Sequence, residues 1–458
     1  MEKRADRECD ITEVERSLPV DDIVYAGEPA WPIFRMEYRL SCNGNSTNTK
    51  REKPKISTTL LSCLYGMKNW LGRYRYIVIS SSASRREIDG EMYDIVADAL
   101  IDTIGREDTL LIEKPKPNHF PRKRVHTLHP VSSRVVDMLS LILRSISTSP
   151  GRIDGEEVLD EIGRICGCSP NRISILKRFI SDREVYETIF RIYRPRVLFV
   201  VSYYSCIPAI VAAKSLGIEV VEIQHGVIGG GHPAYNGKSI PDSYLPDTIL
   251  TYGRRDMEFL EKSPLFESVE KYPIGNWYID RLSRNGPSAA KRRDSRLRIG
   301  ISLQRPVEDR TVEFIEEAAS ENGEIVYVLI PRDHRSFEYR PNGENIEISP
   351  EGICQESAIR YDLHATVYST CAIEAIALGI PCIVIDIDGL GTRYLGELLP
   401  RRYSSFVSDP KVFVKEALRL SRLDASPEDI TRSASLNYLP GFYDNIKKFL
   451  EEKRWLRY

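Results

Sequence analysis

The residues from 197 to 235, VLFVVSYYSCIPAIVAAKSLGIEVVEIQHGVIGGGHPAY, constrain this chain more than any other stretch. An apolar run at 197–201 passes through small and polar residues into helical spacing at 207–216, turns at Gly217 and re-enters an apolar run at 220–223. Strand, helix and strand in that order predict a βαβ unit, and such units build parallel sheets. Their ligands sit beyond the carboxyl ends of the strands. Here the second strand ends in Gln224, His225 and Gly226, which brings a titratable imidazole to that edge. An unperturbed imidazole has a pKa of about 6.5 and can take up a proton at neutral pH, so His225 is the candidate catalytic residue. The glycines 229–231, followed by His232, Pro233 and Tyr235, predict a mobile loop leading from the same edge.

At 458 residues the chain is too long for one ordinary core and fits two domains. With 64 basic residues against 66 acidic ones, nothing global draws it to nucleic acid. The opening MEKRADRECD lacks the apolar centre of a signal peptide, and no apolar run approaches the ~20 residues that span a bilayer. A cytoplasmic protein is the expectation. Nine scattered cysteines, with only Cys166 and Cys168 close together, predict reduced and mostly buried thiols.

Residues 1–55 read as irregular and polar, with little function expected. A helix is predicted over 56–71 and a strand over 76–79, followed by a serine-rich turn carrying Arg85, Arg86 and Asp89 as site candidates. The basic, proline-broken run 114–124 precedes helical spacing at 135–143; it reads as a loop feeding a core helix or as a membrane-surface element. Residues 151–193 read as mainly helical, and further strands end at Gly253 and Gly275. The charged stretch 281–296 marks the domain boundary, at 285 on one side and 296 on the other.

Beyond it, strands at 298–303, 325–330, 346–348, 365–368 and 382–387 alternate with helices at 308–322, near 355 and at 371–378. That alternation predicts a doubly wound α/β sheet over 296–425. Within it, Tyr368-Ser369-Thr370 leads from a strand into a helix that carries Glu374. Free N–H groups at a helix start suit a phosphate, and Glu374 could accept from the two hydroxyls of a ribose; a plain N-cap with an acidic first turn fits the same residues. The remaining 426–458 close on a helix that either returns to the first domain or offers Lys453, Arg454, Trp455, Arg457 and Tyr458 to an anionic membrane.

Taken together, QHG after a strand, then YGRRD, a strand ending in IGN, and YSTCAIEAIALGIPCIVID resemble the GT-B glycosyltransferases of surface and capsular polysaccharide synthesis. Related arrangements occur in the CDP-glycerol glycerophosphotransferases. The resemblance covers roughly 190–400 and implies two Rossmann-like doubly wound domains facing a cleft, an acceptor side at 1–285 and a nucleotide-donor side at 296–425. It implies transfer from a nucleotide-sugar donor to a glycan or lipid-linked acceptor, with His225 taking the acceptor proton and Ser369, Thr370 and Glu374 holding the nucleotide. Gln224, Gly226, His232, Tyr235, Arg85, Arg86 and Asp89 fall on the acceptor side. Where the relatives carry a KxHP-type segment this chain has LIPRDH, so Arg332 and His334 are phosphate candidates in altered positions, with Gln304 and Arg305 as a second pair. Asp386 and Asp388 form a DxD triplet, but enzymes of this type stabilise the leaving phosphate with protein groups, so neither metal nor cofactor is expected. Transfer of a CDP-polyol phosphate, or nucleotide or glycan binding without turnover, stays open.

Overall fold

The computed structural model describes residues 10–44, 61–147, 150–230, 232–284, 296–332, 337–350 and 360–455. The chain divides into two compact units. Unit 1 comprises Met1–Thr251, Met257–Pro273 and Tyr443–Tyr458, and unit 2 comprises Tyr252–Asp256 and Ile274–Phe442.

Unit 1 opens with a two-stranded antiparallel pair, β1 (Val24–Tyr25) and β2 (Glu28–Pro29). Its main sheet then uses β3 (Tyr76–Ser81), β6 (Thr109–Lys114), β7 (Pro130–Ser132), β8 (Val197–Val201), β9 (Glu219–Ile223), β10 (Thr248–Thr251) and β11 (Glu270–Pro273), while β4 (Arg85–Ile88) and β5 (Glu91–Asp94) form a separate hairpin. The seven strands are parallel in the order β11-β10-β9-β8-β3-β6-β7, with Val78 opposite Phe199 and Val200 opposite Glu222. All five residues of β8 are buried, because both faces of the sheet are covered. One face meets helices Arg134–Ile146, Arg172–Tyr193 and Ile207–Ser215 over a core that includes Ile77, Leu198, Val200 and Ile210. The other receives the last helix, Phe442–Glu452, where Trp455 lies edge-on to Phe199 at 5.9 Å and its carbonyl accepts from the Tyr76 hydroxyl at 2.7 Å.

This return decides what the closing residues do. Trp455 is buried, and Lys453 pairs with Glu270 at 2.6 Å and Glu219 at 3.0 Å, so neither is available to a lipid surface. Residues 456–458 lie outside the described residues.

Unit 2 contains β12 (Arg298–Ser302), β13 (Val326–Ile330), β14 (Ile346–Ile348), β15 (Leu363–Thr366), β16 (Cys382–Ile385) and β17 (Ser404–Val407), all parallel in the order β14-β13-β12-β15-β16-β17. The expected fold class, two Rossmann-like doubly wound α/β bodies, is the one observed. The unit boundary differs from the expected 285. Helix Trp277–Arg284 belongs to unit 2, where the Asp280 carboxylate accepts from the backbone N–H of Gly441 (2.9 Å) and Phe442 (2.6 Å).

Several expectations need correcting. Residues 10–44 are ordered: Asp10 caps helix Ile11–Ser17, and a second helix, Trp31–Gly44, buries Trp31, Phe34 and Tyr38 against Leu159, Ile162 and Leu176. The serine-rich turn is followed by the β4–β5 hairpin, whose Asp89-Gly90 corner has φ of 51° and 86°, the left-handed pair that a tight hairpin requires. Five described cysteines are free and buried, but Cys166 is in a disulfide. Of the helix expected over 56–71, residues 56–60 lie outside the described residues and Met67–Leu71 form a 3-10 turn; the helix expected near 355 also lies outside them.

Candidate functional site

In an open parallel sheet the ligand crevice forms where the strand order reverses. Unit 1 reverses between β3 and β8. At the carboxyl end of β8 the chain turns sharply: Ser202 adopts φ 70°, a left-handed backbone that costs a serine roughly 1 kcal/mol or more. This turn starts the 3-10 segment Tyr203–Ser205, which carries Tyr204 toward the end of β9. There the Tyr204 hydroxyl lies 3.4 Å from His225 Nε2, and its ring is 5.5 Å from that of His232.

His225 is partly exposed, yet its Nδ1 is buried without a hydrogen-bond partner. Burial first, and then the charge of Lys116, push its pKa down to about 4. The ordinary value assumed from the sequence is therefore corrected: the ring is neutral across the physiological range, always able to accept a proton but a weaker base. His232 is treated similarly, its pKa pushed to about 4 by burial and then by Arg39, while its Nδ1 accepts from Ala234 N–H at 3.3 Å.

Beneath these rings lies Glu222, fully buried on β9. It accepts from Tyr203 N–H at 3.0 Å and from the Tyr235 hydroxyl at 2.7 Å, and its Oε2 has no partner. Burial outweighs both bonds and raises its pKa to about 7. Tyr235 is thus a buried brace for Glu222 rather than an acceptor contact. Gln224 is likewise 1% exposed, and its Nε2 donates to the Gly226 carbonyl at 2.8 Å to hold the turn that presents His225.

The loop after His225 is clamped where mobility was expected. Arg35 Nε and Glu15 Oε2 form a buried ion pair at 2.6 Å; Glu15 also accepts from Trp31 Nε1 (3.0 Å) and Lys238 N–H (2.8 Å), and Arg35 donates to the Asn236 carbonyl. A Cβ at Gly237 would lie 2.0 Å from Glu15 Oε1, so only glycine lets the loop run this close. Gly231 lies outside the described residues.

Arg85 is withdrawn from the site. It is 2% exposed and paired with Asp98 (3.2 Å) and Glu113, and it donates to Thr127 Oγ1 (3.1 Å). Arg86 donates to the carbonyls of Ala83 and Arg85 at 2.9 Å each, and Asp89 sits at the hairpin corner. Sequence reasoning missed that the charges of Arg39 and Lys116 act on His232 and His225. Arg39 rises from the helix Trp31–Gly44 of a segment dismissed as irregular. Lys116 belongs to the basic run, and Ser82 Oγ, just beyond β3, fixes it by accepting from its backbone N–H at 2.7 Å.

Unit 2 reverses between β12 and β15. Gln304 spans the reversal: its Oε1 accepts from Tyr368 N–H at 2.9 Å and faces Thr366 Oγ1 at 3.5 Å. Arg305, exposed, follows directly, and Ser369, Thr370 and Glu374 open the opposite side. Ser369 Oγ accepts from Cys371 N–H at 3.3 Å, and the Thr370 hydroxyl reaches Glu374 Oε1 at 3.4 Å. Glu374 is 9% exposed on the seven-residue helix Cys371–Ala377. Arg332 is exposed at the end of β13, and His334 lies outside the described residues.

The DxD aspartates are both engaged. Asp386 accepts from the Thr392 hydroxyl (2.6 Å) and N–H (3.0 Å), and Asp388 pairs with Arg310 through contacts of 2.5 and 2.9 Å. Two recesses, of about 600 and 390 Å³, lie apart from both crevices. One is beside Arg164, Cys168 and Arg172, the other beside Asp362, Gly379 and Pro427.

No family model matches this chain, and no curated protein matches it in sequence. Among solved structures it is similar to the UDP-GlcNAc 2-epimerase of Neisseria meningitidis, at 14% identity and a TM-score of 0.48 over 83% of this chain and 99% of that one. It is also similar to the glycotransferase of kitacinnamycin, at 14% identity and 0.47 over 84% and 100%. A third is the calicheamicin glycosyltransferase, at 12% identity and 0.48 over 83% and 98%. What the chain does has to be read from its own residues.

Proposed function

We propose that this protein is a glycosyltransferase that moves a sugar from a nucleotide donor to an acceptor hydroxyl, in the synthesis of a surface polysaccharide or glycoconjugate. The observation that carries the reading is Gln304. Its Oε1 accepts from Tyr368 N–H across the reversal of unit 2, with Arg305 next to it in the chain and Ser369, Thr370 and Glu374 following Tyr368, which supports a nucleotide at the crevice that such a reversal forms. Arg305 with the Ser369 and Thr370 hydroxyls would meet the diphosphate, and Glu374 the ribose.

In unit 1, neutral His225 would accept the acceptor's O–H proton as that oxygen bonds to the anomeric carbon. The bond from that carbon to the donor diphosphate breaks, and its electron pair leaves with the nucleotide. Tyr204 is the group the acceptor hydroxyl would displace from His225 Nε2.

Incubation with UDP-, GDP- and CDP-linked donors tests this. Acceptor-dependent release of UDP or GDP supports sugar transfer. CMP release marks a polyol-phosphate transferase, inversion of a sugar carbon with the nucleotide still attached marks an epimerase, and binding without any product marks a non-catalytic protein.

A further inference from the structure

The amino ends of β3 and β8 lie on the edge of the unit 1 sheet opposite the crevice. Two stretches lead into them, 61–75 before β3 and 190–196 before β8, and together they carry six cations and no acid in a chain of 64 basic and 66 acidic residues. The fold joins the two. Arg196 N–H donates to the Arg75 carbonyl at 2.8 Å, the Tyr193 hydroxyl donates to the Trp70 carbonyl, and the Tyr193 ring lies 5.9 Å from that of Tyr74. Of the six cations only Arg191 has an acidic partner among the described residues, Glu187 at 3.7 Å; Lys68, Arg73, Arg194 and Arg196 are exposed and Arg75 is half-buried. The neighbouring turn before β6 brings two acids, but Glu107 is paired with His129 at 3.2 Å, and Asp108 meets the patch through its carbonyl, which accepts from Arg75 N–H at 2.8 Å.

Aliphatic side chains stand among these cations. Leu71 is 88% exposed and Ile192 70%, while Trp70 packs against the core and pins the chain beside Leu71. Neither leucine nor isoleucine lines one of the two recesses. Single aliphatic side chains set among cations suit a fluid anionic surface, which closes around each of them, better than a rigid partner that must offer a matching hollow.

We propose that this edge of unit 1 docks onto an anionic lipid bilayer, with Leu71 and Ile192 entering the headgroup layer and the unpaired cations meeting lipid phosphates. The crevice of His225, at the other ends of the same strands, then faces away from the bilayer. The proposal does not depend on which reaction the chain performs, and it places a membrane contact where the closing residues do not.

The test is sedimentation of the full chain with vesicles of phosphatidylglycerol and phosphatidylcholine, against vesicles of phosphatidylcholine alone. Binding to the anionic vesicles only, reversed by salt, is expected. Arg73→Gln combined with Arg196→Gln should weaken it roughly tenfold or more, the effect of two cations near an anionic surface, and Leu71→Ser about tenfold, that of one leucine left unburied. All three positions are exposed, so thermal unfolding should be unchanged, and Lys411→Gln in unit 2, also exposed, should bind as the parent does. No binding to the anionic vesicles, equal binding to both kinds, parental binding in the arginine variant, or an equal loss in Lys411→Gln would each refute the proposal. Binding that the arginine variant weakens and Leu71→Ser leaves intact would also refute it, and would mark the patch as a site for an acidic macromolecule.

Discussion

The two units wind their strands in the same sequence around the same kind of reversal, yet their crevices are furnished differently. Unit 1 lines its reversal with aromatic rings and imidazoles set over a buried carboxyl, braced by the N-terminal helices through the Glu15–Arg35 pair. Unit 2 lines its own with a carboxamide, hydroxyls and exposed arginines, held mainly by short backbone contacts. Topology thus sets where a ligand goes, and the few residues after each strand set what chemistry it meets.

The largest effect should come from breaking the Glu15–Arg35 brace of unit 1. Glu15→Ala leaves the Arg35 guanidinium buried and unpaired, a loss of about 3–5 kcal/mol for a broken buried pair. Thermal or urea unfolding measures it, and a loss under 1 kcal/mol would mean the loop is held by something else. His225→Ala should next lower turnover by roughly 10²-fold or more with donor affinity unchanged. Because the folded His225 pKa is about 4, protonation removes the base only at low pH. The pH profile of kcat/KM should show no inflection from His225 near neutrality; one that disappears in His225→Ala would contradict the burial argument.

In unit 2, Glu374→Ala should weaken nucleotide binding by about 1.5–3 kcal/mol, the worth of hydrogen bonds to a charged group. An unchanged affinity would reduce Glu374 to an acid in the first turn of its helix. The smallest effect concerns His364, buried on β15 with both ring nitrogens unpartnered and a pKa pushed by burial to about 4. The unfolded ring, at about 6.5, binds a proton more readily, so the stability tied to His364 is fully present above that pH and is lost as pH falls toward 4. His364→Leu should stabilise unit 2 by about 1 kcal/mol and flatten that acid loss. Hydrogen exchange of the β15 amides in the intact chain reads both.

The sheets were legible in the sequence because strands buried on both faces, such as 197–201 and 326–330, appear as uninterrupted apolar runs. His225, Gln304 and Glu374 stood out as candidates for a related reason, since each comes after such a run. The N-terminal helices were not. Their apolar residues are sparse and are buried by partners more than a hundred residues away, such as Leu159 and Leu176 against Tyr38. Arg85 misled because its hairpin looked like a polar loop; the Asp89-Gly90 corner was the signal for a hairpin, but nothing local announces that Asp98, Glu113 and Thr127 enclose it. The influence of Arg39 on His232 and of Lys116 on His225 could not be read from spacing, since the members of each pair lie far apart in the chain.

The central claim is a division of labour, with nucleotide in unit 2 and proton removal in unit 1. Calorimetric titration of the nucleotide product into His225→Ala and Glu374→Ala tests it most directly. The account predicts wild-type affinity in His225→Ala and a loss of tenfold or more in Glu374→Ala. Weakened binding in His225→Ala together with unchanged binding in Glu374→Ala would contradict it.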